Sequence, residues 1–221
     1  MTANPHARTP ALGRGAPLAA ATIAVIDLHG RELGAASAIE LADRLAIPGA
    51  AFVIPEADAR SWYPASFLAP TAQNQPRLDH ALARIDGLVD ELGAAGFAPE
   101  RIFVLGFSQG ACLALEWFSR HPERAAGAIA FTGGLIGPPE TRWPASPIAG
   151  APVLLTTSDA DEWVPLARVH ATRDVFAARG ARVELHVLAG RPHRVDDREV
   201  AVARALLADA IAAHDRARLT G

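Results

Sequence analysis

Cysteine occurs once in the 221 residues, at Cys112, so no disulfide can close within the chain and a reducing compartment is expected. Lysine is absent, which we attribute to genome composition, with arginine carrying the positive charge. The net charge is −3, and no basic block suggests nucleic acid as a partner. No run of like charge makes an interaction tail. No apolar segment reaches membrane-spanning length. Arg8 and Arg14 precede an apolar run over 16–26, the arrangement of a secretory signal. Pro17 interrupts that run, however, and it leads into Asp27-Leu28-His29-Gly30, which reads as part of the fold. The histidines and carboxylates lack metal-ligand spacing, and no Walker-type glycine-rich motif is present, so neither a metal nor a cofactor is expected. Repeats, low-complexity tracts and interdomain linkers are missing too. What remains is a cytoplasmic chain with a mobile N-terminal segment over 1–20 and one globular domain over 21–221.

The domain is written in alternating short apolar runs and longer helical patterns. Residues 22–28, 51–54, 101–105, 127–131, 152–157 and 183–188 are rich in Val, Ile, Phe and Ala and read as buried strands. Residues 35–45, 77–92, 109–120, 165–178 and 196–213 have helical spacing. Leu78, Leu82, Ile85, Leu88, Val89 and Leu92 form one apolar stripe that Gly93 and Gly96 bring to a stop. Such alternation implies a mostly parallel central sheet with helices on both faces. Ligands in such sheets bind beyond the carboxyl ends of the strands. Two long connections, 55–76 and 132–151, interrupt the rhythm and are candidates for functional loops.

The stretch with most chemical content is Gly106-Phe107-Ser108-Gln109-Gly110, between an apolar strand and a helix. A turn that tight needs side-chain-free neighbours and projects the serine hydroxyl above the sheet edge. A serine needs a base to attack at neutral pH, and the base needs an orienting acid. Both follow in chain order, each after a strand: Ser158-Asp159-Ala160-Asp161-Glu162, then Gly190-Arg191-Pro192-His193. Of eight histidines, His193 alone stands on a loop after the last strand. His29 comes too early and is expected to brace a turn. Asp159 and Asp161 compete for the acid, with Glu162 behind them, and position favours Asp161. A developing oxyanion calls for two donors. The Gln109 N–H, at a helix N-terminus, is one, and the Arg31 N–H, after His29-Gly30, is the other. Trp62, Tyr63, Phe67, Leu68, Leu135, Ile136 and Trp163 are expected to crown the active edge as an acyl or aromatic pocket. Cys112, one turn beyond Ser108, reads as a buried small hydrophobe.

Leu28-His29-Gly30-Arg31, Ser61-Trp62-Tyr63-Pro64, Gly106-Phe107-Ser108-Gln109-Gly110-Ala111, Asp161-Glu162-Trp163-Val164-Pro165 and Gly190-Arg191-Pro192-His193 resemble the phospholipase/carboxylesterase family. That group of α/β-hydrolases includes small bacterial carboxylesterases and acyl-protein thioesterases. The resemblance runs in order from about Thr22 to Ala213. It implies the α/β-hydrolase fold without a large lid domain. It also implies Ser108 as nucleophile, His193 as general base and acid, Asp161 as its orienter, and the Arg31 and Gln109 amides as oxyanion donors. The chain departs from the family after His29-Gly30, where Arg31-Glu32-Leu33-Gly34-Ala35-Ala36-Ser37 makes a slightly longer turn.

The implied reaction is cleavage of a short to medium acyl or aromatic ester through an acyl-enzyme. A thioesterase, a lysophospholipase and a dedicated metabolic ester or lactone hydrolase are the alternatives, and a non-catalytic ligand-binding module is the reading from another class. The expected partner is a small ester or thioester, without nucleic acid or stable membrane insertion, and a homodimer is compatible with the chain.

Overall fold

The computed structural model describes residues 3–220. In chain order the elements are β1 (Leu12–Gly15), β2 (Ile23–Leu28), α1 (Ala35–Leu45), β3 (Ala50–Ile54), α2 (Arg77–Ala94), β4 (Ile102–Phe107), α3 (Gln109–Arg120), β5 (Gly127–Phe131), β6 (Pro152–Ser158), α4 (Leu166–Ala178), β7 (Arg182–Leu188) and α5 (Asp197–Thr220). Short 3-10 turns join several of them. The seven strands form one sheet in the order β1-β3-β2-β4-β5-β6-β7. Every neighbouring pair is parallel except β1 with β3.

Strand side chains alternate between the two faces of the sheet, and each face has its own core. Ala24, Ile26, Leu28, Ile102 and Val104 point to the face covered by α2, α3 and α4. Ile23, Val25, Phe103, Leu105 and Ile129 point to the face covered by α1 and α5. Residues of β2 and β5 are buried throughout, as parallel strands covered on both sides must be. Helix α3 is buried from Gln109 to Ser119 and lies directly behind the strand that precedes it. No helix among the described residues is long and apolar enough to cross a membrane.

From β2 the chain winds outward to β3, then returns to place β4 on the other side of β2. The winding direction therefore reverses between β2 and β4. At such a reversal the connections diverge and leave a crevice above the carboxyl ends. Residues 28–31 and 107–109 stand at that crevice.

The N-terminal segment differs from expectation. Residues 1–20 read from the sequence as mobile, but Leu12–Gly15 forms an edge strand, with Leu12 opposite Ile54. Its four residues, two of them glycines, are all exposed, so the strand carries no hydrophobic alternation and is held by backbone pairing and by the ion pair of Arg14 with Asp43 of α1. His6 is buried against Trp62, their ring centroids 5.4 Å apart. The Asn4 side chain donates to the His80 carbonyl at 2.7 Å.

Candidate active site

Strand β4 ends at Phe107 and α3 begins at Gln109, which leaves Ser108 alone to make the turn, at φ 54° and ψ −117°. A non-glycine residue at positive φ costs about 1–3 kcal/mol, so the surroundings must hold it. The Ser108 N–H donates to the Phe131 carbonyl at 3.0 Å, and its carbonyl accepts from the Cys112 N–H at 3.0 Å. The flanking glycines have steric causes. A Cβ on Gly106 would stand 2.4 Å from the Gly110 carbonyl carbon, and one on Gly110 would stand 2.0 Å from the Leu28 oxygen. The elbow therefore presses against the end of β2.

His193 lies on the loop from β7 to α5, with Nε2 2.8 Å from Ser108 Oγ. Its Nδ1 is 2.8 Å from Asp161 Oδ2 and 3.0 Å from Oδ1. A carboxylate only accepts, so the proton sits on Nδ1 and the lone pair of Nε2 faces the serine hydroxyl. Asp161 Oδ1 also accepts the N–H groups of Trp163 at 3.0 Å and Val164 at 2.9 Å. The Asp161 side chain has no exposed surface. Phe107 packs on the His193 ring with centroids 5.0 Å apart.

The loop that carries His193 is fastened from both ends. Asp159, the sequence rival for the acid, accepts the Gly190 N–H at 2.7 Å and does not touch the imidazole. Arg191, only 3% exposed, donates to Thr132 Oγ1 at 2.8 Å and Glu199 Oε1 at 3.2 Å. It also donates to the carbonyls of Pro192 and Arg194, on either side of the histidine. Sequence reasoning missed Arg191 and the role of Asp159. An arginine two residues before the candidate base was the available clue.

The Arg31 and Gln109 backbone N–H groups have no backbone partner among the described residues, and both residues line the cavity beside Ser108. Their side chains point to another task. Gln109 accepts the Trp62 N–H at 2.9 Å and donates to the Tyr63 carbonyl at 2.8 Å. The Arg31 guanidinium donates to the carbonyls of Tyr63, Pro64 and Ala65. Together they tie the 61–65 loop to the crevice. His29 donates from Nδ1 to the Gly30 carbonyl at 2.7 Å and accepts the Ala57 N–H on Nε2 at 3.0 Å. Burial pushes its pKa down, so it braces the turn as a neutral ring.

A cavity of about 960 Å³ opens at Ser108 and straddles the carboxyl edge of the sheet. On the α2/α3 face Tyr63, Phe67, Cys112 and Val164 line it, and on the α1/α5 face Ala38, Leu41, Phe107 and Val195. Trp163, 68% exposed, stands at the rim. Of the seven residues expected to meet substrate, Tyr63, Phe67 and Trp163 do line the cavity. Trp62, Leu68, Leu135 and Ile136 do not and are corrected here. Trp62 is fully buried, with Nε1 donating to the His29 carbonyl at 2.9 Å. Leu135 and Ile136 are buried because their N–H groups are captured by Thr172 and Glu116. Leu68 packs against the same core. Among the described residues, no three His, Cys, Asp or Glu side chains are grouped to hold a metal ion.

Residues 20–211 match the family model described as phospholipase/carboxylesterase. NocK of Nocardia uniformis subsp. tsuyamanensis, an esterase by assignment, is 36% identical over 162 residues, which span 71% of this chain and 43% of that protein. Acyl-protein thioesterase 1 of Eremothecium gossypii is 33% identical over 149 residues, 62% of this chain and 58% of the relative. The chain thus spans about half the length of these curated relatives. The crystal structure of a phospholipase/carboxylesterase from Dyadobacter fermentans superposes with a TM-score of 0.84 at 39% identity, over 90% of this chain and 95% of the other. The Bacillus cereus carboxylesterase shares the fold, with a TM-score of 0.73 at 18% identity over 95% of this chain and 100% of the other.

Proposed function

The chain belongs to the phospholipase/carboxylesterase family of α/β-hydrolases, and from that premise we propose that it is a serine esterase working through Ser108, His193 and Asp161. The observation that carries the reading is the unbroken hydrogen-bonded series from Ser108 Oγ through His193 to Asp161, at the carboxyl edge of the sheet and open to the cavity.

In the proposed reaction His193 Nε2 takes the Ser108 proton as Oγ adds to the ester carbonyl carbon. Asp161 holds the imidazole in the required tautomer and stabilises the imidazolium. The carbonyl oxygen, now an alkoxide, accepts from the Arg31 and Gln109 N–H groups. Loss of one such donor typically costs about 10²–10³ in kcat. As the tetrahedral adduct collapses, the C–O bond to the alcohol breaks and His193 returns the proton to the departing oxygen. Water then repeats the sequence on the acyl-enzyme and frees the acid.

Short to medium acyl or aromatic esters are the proposed substrates, since the cavity is apolar around Tyr63 and Phe67 and bounded by loops without an inserted domain. Acyl thioesters are the second reading, favoured by the similarity to an acyl-protein thioesterase. The buried lone cysteine, with its thiol pushed up to about 12 chiefly by burial, suits a cytoplasmic enzyme and takes no part in the chemistry.

The test is intact-protein mass after exposure to a fluorophosphonate, with p-nitrophenyl ester turnover measured alongside. We expect one adduct on the wild type and none on Ser108→Ala, with turnover lost in the variant while its circular dichroism is unchanged. Undiminished hydrolysis by Ser108→Ala would overturn the mechanism. A comparison of p-nitrophenyl esters with acyl thioesters then decides between the two substrate readings.

A further inference from the structure

The cavity branch on the α1/α5 face ends on a residue that the proposed reaction does not use. Ala38, Leu41, Phe107 and Val195 form its apolar part, Ser37, Glu40 and Arg44 stand among them, and Asp27 is one of the lining residues. Asp27 lies on β2 opposite Leu105 of β4. Strand alternation gives its side chain the same face as Val25 and Leu105, beneath α1. It is 1% exposed, and neither carboxyl oxygen has a hydrogen-bond partner. Native interiors rarely leave such a group unpaired, because desolvation is then uncompensated. The preceding strand residues Ile23–Ile26 are all apolar, so an apolar side chain would suit the packing at this position. A carboxyl kept there at a cost to stability, at the end of a branch open to the site, has the form of a recognition group.

The chemistry of the branch narrows the ligand. Burial pushes the Asp27 carboxyl well above the usual carboxylate range, which favours the un-ionised acid, with one O–H donor and acceptor lone pairs. The charged groups lining the cavity besides Asp27 are Arg31, Glu32, Glu40, Arg44 and Arg194, three positive and two negative, which gives no preference for a cation. Arg44 is further occupied by the Val195 carbonyl at 3.1 Å and Asp197 at 2.8 Å. A neutral group that both donates and accepts is the complement. The branch passes Phe107, whose ring packs on His193, and His193 must face the oxygen that departs.

We propose that this branch binds the alcohol or thiol half of the substrate, and that Asp27 recognises a neutral hydroxyl or carboxamide at the far end of that half. The proposal rests on the esterase reading and adds a specificity site to it.

The test compares ω-hydroxyalkyl acetates of increasing length with the matched alkyl acetates, for wild type, Asp27→Leu and Asp27→Asn. Each enzyme serves as its own control through the ratio of the two kcat/KM values. In the wild type the hydroxylated ester is expected to win by at least about tenfold at one chain length, as a site built for a substrate hydroxyl rejects the analogue without it. Asp27→Leu should bring the ratio to about one, and Asp27→Asn, which keeps a donor and an acceptor, should retain much of it. A ratio that is the same in wild type and Asp27→Leu would overturn the proposal, even if the leucine variant melts higher. So would a wild-type preference for the ω-aminoalkyl ester over the hydroxyalkyl one. A readout without turnover accompanies these, namely NMR titration of wild type with the diol product and with the plain alkanol. Amide shifts at Ala38, Leu41 and Val195 with the diol alone support the subsite, and equal or absent shifts sink it. Failure of the esterase reading would show separately, as p-nitrophenyl acetate turnover that is absent or survives Ser108→Ala.

Discussion

Asp159 and Asp161 both follow β6, and each accepts a hydrogen bond from the loop that carries His193, but at different points. Asp161 meets the imidazole at 2.8 Å, whereas Asp159 meets the Gly190 N–H at 2.7 Å. Asparagine at 161 offers its amide nitrogen or oxygen to Nδ1 but removes the charge that, in the proposed mechanism, stabilises the imidazolium and selects its tautomer. Asp161→Asn is therefore expected to lower kcat by on the order of 10³–10⁴. Asp159→Asn keeps an oxygen for the Gly190 amide and should stay within about tenfold of wild type. Steady-state p-nitrophenyl acetate kinetics on the two variants decides the matter, and equal losses would remove the distinction between orienter and loop anchor. Arg191 acts one step further out, by holding the carbonyls on both sides of His193. Arg191→Met should lower kcat far more than it changes KM, because it loosens the base without touching the cavity wall. A matching rise in KM with kcat intact would contradict that role. Place after a strand marks both Asp159 and Asp161 in the sequence and favours Asp161 without deciding between them. The occupation of Asp159 by Gly190 was not readable, since it depends on where β7 ends in space.

At the scale of elements, the two long connections are fixed by buried polar side chains of α3. Gln109 ties down 61–65, and Glu116 ties down 132–151. Glu116 is 3% exposed, accepts the Ile136 N–H and Trp143 Nε1–H at 3.2 Å each, and pairs with Arg120 at 2.6 Å. Glu116→Leu leaves two donors without an acceptor and is expected to cost about 1–3 kcal/mol per buried group left unsatisfied. Urea unfolding measures that loss. Limited trypsin digestion reads the loop itself, because the exposed Arg142 should be cleaved faster in the variant, while unchanged digestion would mean the loop is held by its prolines and Trp143 packing alone. The same anchors explain which parts of the fold could be read in advance. Strands such as 127–131 announce themselves as apolar runs because both of their faces are covered. Leu12–Gly15 is held by backbone pairing and the Arg14–Asp43 ion pair, with its residues exposed, and so carries no hydrophobic pattern to find. Tyr63 and Trp62 look alike in sequence as loop aromatics. Both are buried, but only Tyr63 lines the cavity, because Gln109 and His29 capture the N–H groups of Trp62, and no local pattern records a contact between residues so far apart in the chain.

Across the whole molecule, two buried groups pull stability in opposite directions as pH changes. His6 accepts the Asp58 N–H at 3.1 Å, and its pKa is pushed down to about 4, first by burial and then by Arg77, against opposing contributions from the Trp62 backbone and Asp58. Its folded value lies below the unfolded one, near 6.5, so between about 4 and 6.5 the unfolded chain binds more protons. Stability attributable to His6 then rises with pH across that window, by up to about 1.4 kcal/mol per pH unit. Asp27 has the reverse sign. Burial raises its folded pKa well above the ordinary aspartate value of about 3.9, so the folded state binds the extra proton and stability falls as pH climbs above about 4. Glu199 is raised as well, chiefly by burial, and adds to that fall. The wild-type profile sums these opposing contributions, and single variants separate them. Relative to His6→Gln, which keeps an acceptor for the Asp58 amide, the wild type should gain stability from about pH 4 to 6.5 and then level off. Relative to Asp27→Asn it should lose stability over the same range and continue to lose it above. Urea unfolding of the three proteins across pH 4 to 8 checks both signs at once. A flat difference for His6→Gln would mean that the N-terminal segment undocks without coupling to the folded domain, whereas a flat difference for Asp27→Asn would mean that water reaches the inner end of the cavity and Asp27 titrates as an exposed acid.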